Sequence, residues 1–171
     1  MKVLILNGSP RQKGNTAAMC AAFKEGAEAA GHSVEIMNVG RMDIKGCRAC
    51  EYCHGKGNGE CALKDDMQKI YPLLREAEFV VLASPVYYFA PSAQLQAAVQ
   101  RFYALMRPEK VRRMALLLSS ASDGVYSASV CQFKDMLGFM GIGNSGIITA
   151  WGEENKSEKK LKEIKEFART I

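Results

Sequence analysis

Residues 47–61 read CRACEYCHGKGNGEC. Cys47, Cys50 and Cys53 recur at every third position, and Cys61 follows after seven intervening residues. Thiolates this close in sequence are natural ligands for a soft metal. A C-x2-C-x2-C run also opens the cubane-cluster motif of bacterial ferredoxins. Zinc sites more often combine two separated C-x2-C pairs. Gly55, Gly57 and Gly59 give the chain freedom for Cys61 to fold back toward the other three. The residues alone leave three outcomes open: an iron–sulfur cluster, zinc, or free and redox-active thiols. Cys20 and Cys131 fall within helical patterns and read as small buried residues. Asp65 and Asp66 read as acids at a helix start.

A second stretch, GSPRQKGNT at 8–16, joins an apolar run to a helical pattern. Its glycines, Ser9, Asn15 and Thr16 offer backbone N–H groups and side-chain donors at a helix N-terminus, which suits an anion and above all a phosphate. Arg11 adds a cation able to make a charge-assisted bond. The loop is not a Walker A motif, because Gly14 is followed by Asn15-Thr16 instead of Lys-Ser/Thr. The dinucleotide fingerprint G-x-G-x-x-G is also absent. What remains is a phosphate loop built mainly from neutral donors.

These loops need a scaffold. Four segments are almost continuously apolar: VLIL (3–6), FVVLAS (79–84), MALLLSS (114–120) and GIITAW (146–151). Such runs suit parallel strands covered on both faces, whereas the alternating SVEIMNV (33–39) suits an edge. Helical patterns lie between and after them at 15–31, 65–77, 91–106, 126–141 and in the terminal KSEKKLKEIKEFA. Five strand–helix alternations specify an open α/β sandwich. The chain of 171 residues, 48% hydrophobic and 24% charged, reads as one domain over 1–171 with an irregular, cysteine-rich insertion at about 40–64. No apolar run reaches the ~20 residues of a membrane helix. The opening MKVLILNGSPR reads as a buried strand and not as a leader, so a cytoplasmic setting with reduced cysteines is expected. The net charge of +5 is modest, and the densest basic stretch, 156–169, interleaves Lys with Glu. That is the pattern of a solvated helix face and not of a nucleic-acid surface.

The GSPRxxGNT loop, together with ASPVYYFAPSAQLQAAVQR at 83–101, resembles the NAD(P)H-dependent FMN reductase and iron–sulfur flavoprotein family of the flavodoxin-like superfamily. The likeness spans essentially the whole chain. One departure is that the family's usual Lys-containing ending of the second segment stands here as Gln96-Ala97 and Gln100-Arg101, in a region tied to helix packing and subunit contact. The resemblance implies a five-stranded parallel sheet of order 2-1-3-4-5 with helices on both faces, binding FMN and taking hydride from NAD(P)H. Electrons would pass to free flavin, a quinone, another small acceptor or a redox protein. It further implies that Ser9, Arg11, Gly14, Asn15 and Thr16 cradle the phosphate. Pro85, Val86, Tyr87, Tyr88 and Phe89 would run along the ring system, and Ser119, Ser120, Ala121 and Tyr126 would close the opposite rim. The cofactors carry hydride transfer themselves, so no catalytic acid, base or nucleophile is assigned. His32 and His54 read as solvent-facing.

For the cysteine loop the resemblance keeps two branches open. Iron–sulfur flavoproteins would place a [4Fe-4S] cluster on Cys47, Cys50, Cys53 and Cys61, making the protein an electron carrier. Cluster-free relatives keep cysteines here too, ahead of a segment like Lys64-Asp65-Asp66-Met67. A homodimer or homotetramer is implied, with RFYALM and FKDMLGFM as candidate contact faces.

Overall fold

Val3–Leu6, Phe79–Ala83 and Met114–Leu118 are apolar at every position, and each is buried along its whole length. In the computed structural model, which describes residues 1–171, they form the centre of a sheet. Its strands are β1 (Lys2–Asn7), β2 (Ser33–Met37), β3 (Phe79–Tyr87), β4 (Ala90–Pro91), β5 (Arg113–Ser120) and β6 (Gly143–Trp151). The order is β2-β1-β3-β5-β6, with all neighbours parallel. This is the expected order once the two-residue β4 is set aside. β4 pairs antiparallel with the end of β3, Tyr87 opposite Ala90.

The pleat divides the core in two. Leu4, Leu6, Val80, Leu82, Met114, Leu116 and Leu118 face one side, packed with residues of α2 (Met67–Glu76), α3 (Ala93–Gln100) and α4 (Ser127–Met140). Val3, Ile5, Phe79, Val81, Ala83, Ala115 and Leu117 face the other, against α1 (Asn15–Ala29) and α5 (Glu158–Arg169). Alternate residues of one strand thus fill opposite layers, and continuous apolarity follows from burial on both faces.

Two expectations need correction. The helix expected over 91–106 begins after Ser92, whose Oγ accepts from Leu95 N, and its regular part stops at Gln100. From Arg101 to Leu105 the chain tightens into a 3-10 turn. The carbonyl of Arg101 is taken by Tyr71 OH at 3.2 Å, and Met106 turns the chain at φ 53°. Cys131 is exposed on α4 instead of buried; Cys20 on α1 is buried, as expected.

Candidate functional site

The strand order reverses direction beside β1, and in open α/β sheets ligands collect beyond the carboxyl ends at such a switch point. Sheet register brings the ends of β1, β3, β5 and β6 together there. Pro85 lies opposite Ser119, and Ser119 in turn opposite Ala150. A cleft of about 720 Å³ opens over these ends, within the usual range for a small-molecule site.

One wall is the loop after β1. Asn7 Oδ1 accepts Ser9 N at 3.0 Å, and Ser9 Oγ accepts Arg11 N at 3.2 Å, so the turn is held by its own side chains. Gly8 N donates to Ala83 O and Ser92 Oγ donates to Gly8 O, tying the loop to β3 and α3. The N–H groups of Asn15, Thr16 and Ala17 open α1 with no carbonyl behind them. Thr16 Oγ1 meets Ser119 Oγ at 2.8 Å, joining this loop to the end of β5.

Eleven of the fourteen expected cofactor contacts line the cleft: Ser9, Arg11, Gly14, Asn15, Thr16, Pro85, Val86, Tyr87, Ser119, Ser120 and Ala121. Three do not. Tyr88 and Phe89 form the tip of the β3–β4 hairpin, both at positive φ (48° and 65°). That backbone is the two-residue turn that Asn-Gly ordinarily supplies. It directs Tyr88 into solvent, fully exposed, and with Phe89 it edges a neighbouring depression. Tyr126 stands behind the wall. Its OH donates to Ala150 O at 2.8 Å and lies 2.6 Å from Ser120 Oγ, and burial raises its pKa.

Lys13, Gly152 and Lys156 line the cleft without having been expected. Lys13 lies inside the quoted loop. Gly152 follows the end of β6, where the same strand-end rule would have pointed. Lys156 carries no local signal, since it reaches across the fold to donate to Lys13 O at 2.8 Å. Arg11, Lys13 and Lys156 put three cations around the cleft, and no carboxylate lines it. The charge, the unpaired helix-start amides and the hydroxyl donors suit a phosphorylated ligand, and Pro85, Val86 and Tyr87 offer an apolar wall for a flat ring.

A smaller cavity lies under the cysteine loop, lined by all four of Cys47, Cys50, Cys53 and Cys61. Cys47 and Cys50 are exposed, Cys53 is buried and Cys61 is half-buried. The donors suit iron–sulfur ligation in kind and number. As placed, they do not converge on one centre, and the space between them is about 20 Å³, near the size of one water. Asp65 is not merely a helix-start acid. It caps Met67 N through Oδ1 and pairs through Oδ2 with Arg101 at 2.7 Å, both side chains almost wholly buried. Burial pushes against ionisation of Asp65, but the Arg101 hydrogen bond and the amides of Lys45 and Met67 outweigh it and hold its pKa low. Arg101 also donates to Lys45 O at 2.9 Å, so the pair clamps both ends of the cysteine loop to the turn after α3.

An open parallel sheet of order β2-β1-β3-β5-β6, with helices on both faces and a cleft at its switch point, is the flavodoxin-like fold. A flavodoxin from the domain Archaea superposes with a TM-score of 0.64 at 17% identity, covering all of this chain and 96% of its own. An NAD(P)H:quinone oxidoreductase from Methanothermobacter marburgensis superposes at 0.73 with 19% identity, covering 99% and 93%. An iron-sulfur flavoprotein of Archaeoglobus fulgidus is 34% identical over 152 residues, 89% of this chain and 64% of that protein. A second, from Methanocaldococcus jannaschii, is 33% identical over 101 residues, 59% of this chain and 51% of its own. The chain thus spans between half and two thirds of the length of these relatives. Residues 1–150 match the model of the NADPH-dependent FMN reductase family, and the chain belongs to that family.

Proposed function

We propose that this chain is an oxidoreductase that binds FMN in the cleft and accepts hydride from a reduced nicotinamide. Electrons then leave to a small acceptor such as free flavin or a quinone, or to a redox protein. The observation that carries this reading is the cleft at the β1/β3 switch point, with three cations, three unpaired helix-start amides and no acid. Bound FMN supplies the hydride-accepting and electron-transferring chemistry. The chain supplies placement. In this reading the α1 N-terminus, Ser9 and Thr16 hold the phosphate, with Arg11, Lys13 and Lys156 offsetting its charge. Pro85–Tyr87 support one edge of the ring system, and Ser119–Ala121 the other. A second copy of the chain covers the exposed aromatic tip at Tyr88–Phe89, giving a homodimer or homotetramer. No helix is long and apolar enough to cross a membrane, which accords with a cytoplasmic setting.

Fluorescence titration tests this directly. FMN should be quenched with saturation at one per chain, and riboflavin, which lacks the phosphate, should bind at least about 100-fold more weakly. Two charge-assisted hydrogen bonds at roughly 1.5–3 kcal/mol each require that ratio. Equal affinity for the two, or no quenching, removes the proposal.

A second reading, an electron carrier holding a [4Fe-4S] cluster beside FMN, is favoured by one specific observation: all four cysteines of the loop line one cavity. Iron and acid-labile sulfide analysis of anaerobically purified protein decides it, about four of each per chain being expected for one cubane.

A further inference from the structure

The 3-10 turn after β6 (Gly152–Lys156) reaches two separate walls of the cleft through two adjacent side chains. Asn155 is buried, at 1% exposed. Its Nδ2 donates to Ser120 O at 2.8 Å, at the end of β5, and to Gly152 O at 2.7 Å. Lys156 Nζ donates to Lys13 O at 2.8 Å, on the loop after β1. Lys13, Ser120, Gly152 and Lys156 all line the cleft. The hydroxyls of Thr16 and Ser119 already join the same two walls, and residues 155–156 join them a second time from a third element. That element is anchored in turn to α5. Ser157 Oγ accepts Lys160 N at 3.2 Å, and Glu154 pairs with Lys160 at 3.2 Å.

Asn155 Oδ1 has no partner. A buried amide oxygen left unsatisfied costs stability, and a leucine of similar size would avoid that cost. A leucine could not hold Ser120 O and Gly152 O, so the two donor bonds explain the residue type at 155. Lys156 has three N–H donors and spends one on Lys13 O. Two remain, in a cleft that no carboxylate lines.

We propose that Asn155 and Lys156 form a brace that sets the cleft for a phosphorylated flavin. Asn155 is a positioning residue for the β5 end that borders the ring system. Lys156 holds the loop after β1 and donates to the phosphate itself. The inference rests on the reading of the cleft as an FMN site. It adds which side chains outside the binding loops fix the affinity, and for which part of the ligand.

The test is fluorescence titration of FMN and of riboflavin against the full chain and four variants, with a urea midpoint for each. Lys156→Met should weaken FMN at least about tenfold, as the loss of one charge-assisted bond requires, and leave riboflavin unchanged. Lys156→Arg should restore most of the FMN affinity. Lys159→Met removes the same charge from an exposed position on α5 and should change neither affinity. Asn155→Leu should weaken both flavins by the same factor, about tenfold, because the two share the ring that the β5 end borders. Should that variant not fold, Asn155→Ser, too short to hold both carbonyls, gives the same reading. If the pair merely docks the turn, Lys156→Met and Asn155→Leu lower the urea midpoint and leave both affinities unchanged, which overturns the proposal. Equal loss of FMN and riboflavin in Lys156→Met, or a matching loss in Lys159→Met, also overturns it. A natural chain that binds neither flavin, or both alike, defeats the reading of the cleft and this inference with it. A natural chain that discriminates between them, with variants that do not differ as stated, defeats this inference alone.

Discussion

At the scale of single residues, the loop after β1 owes its shape to groups that its own sequence does not contain. Gly40, in the turn after β2, packs directly on the backbone of Ser9. A Cβ there would overlap the Ser9 carbonyl and lie 2.6 Å from Gly8 O. Backbone on backbone has no rotamer to give, so Gly40→Ala must displace residues 8–9. The expected result is a loss of about 1–3 kcal/mol of stability and about tenfold weaker FMN binding, measured by urea unfolding and fluorescence titration. Unaltered affinity in a folded variant would detach Gly40 from the cleft. The loop's own donors were legible from GSPRQKGNT, because a helix start after two glycines presents amides whatever surrounds it. Gly40 was not, since a glycine with an ordinary φ announces nothing until its neighbour is known. Tyr88 and Phe89 show the opposite case: aromatic character suggested a ring wall, but a left-handed two-residue turn sets them on a depression beside the cleft, bordered by the same Val86, Ser120 and Ala121.

At the scale of elements, the strands were legible because burial on both faces demands uninterrupted apolar runs, and VLIL, FVVLA and MALLL are such runs. Helix ends were less so. α3 stops at Gln100 because Tyr71, on α2, takes the Arg101 carbonyl. Helix packing depends on a similar partner. Gly26 on α1 lets the backbone of α5 approach, for a Cβ there would overlap Lys165 O and lie 2.8 Å from Lys165 Cα. Gly26→Ala gains helix propensity of roughly 1 kcal/mol, yet forcing α1 from α5 costs about 1–3 kcal/mol. A net destabilisation, read as a lower urea midpoint, is expected. A raised midpoint would mean that the two helices slide apart freely.

At the scale of the whole molecule, a buried ion pair joins the cysteine-rich segment to the turn after α3. Removing one partner of such a pair costs about 3–5 kcal/mol because the other charge is stranded, so Asp65→Asn should be much less stable than the natural chain at pH 7. The carboxyl pKa of Asp65 is lowered in the folded chain. Its contribution is therefore complete above the unfolded value of about 3.9 and is lost as pH falls through the lower folded value. The stability gap between the natural chain and Asp65→Asn should stay constant from pH 7 to about 5, then narrow below about 4. Denaturant unfolding at stepped pH measures it, and a gap independent of pH down to 2 would contradict the assignment.

The order of apolar runs and helical patterns was enough to determine a parallel sheet with helices on both faces, and the glycine-bearing loop after the first strand was enough to locate one wall of the cleft. Those features are local: they depend on burial, periodicity and the unpaired amides of a helix start. Tertiary structure alone decided that Lys156 reaches Lys13, that Tyr126 supports the cleft wall from behind, and that Arg101 lies against the four cysteines. Each of these joins residues distant in the chain, through side-chain directions that no spacing encodes. The buried guanidinium could be recognised only after the loop had folded over it.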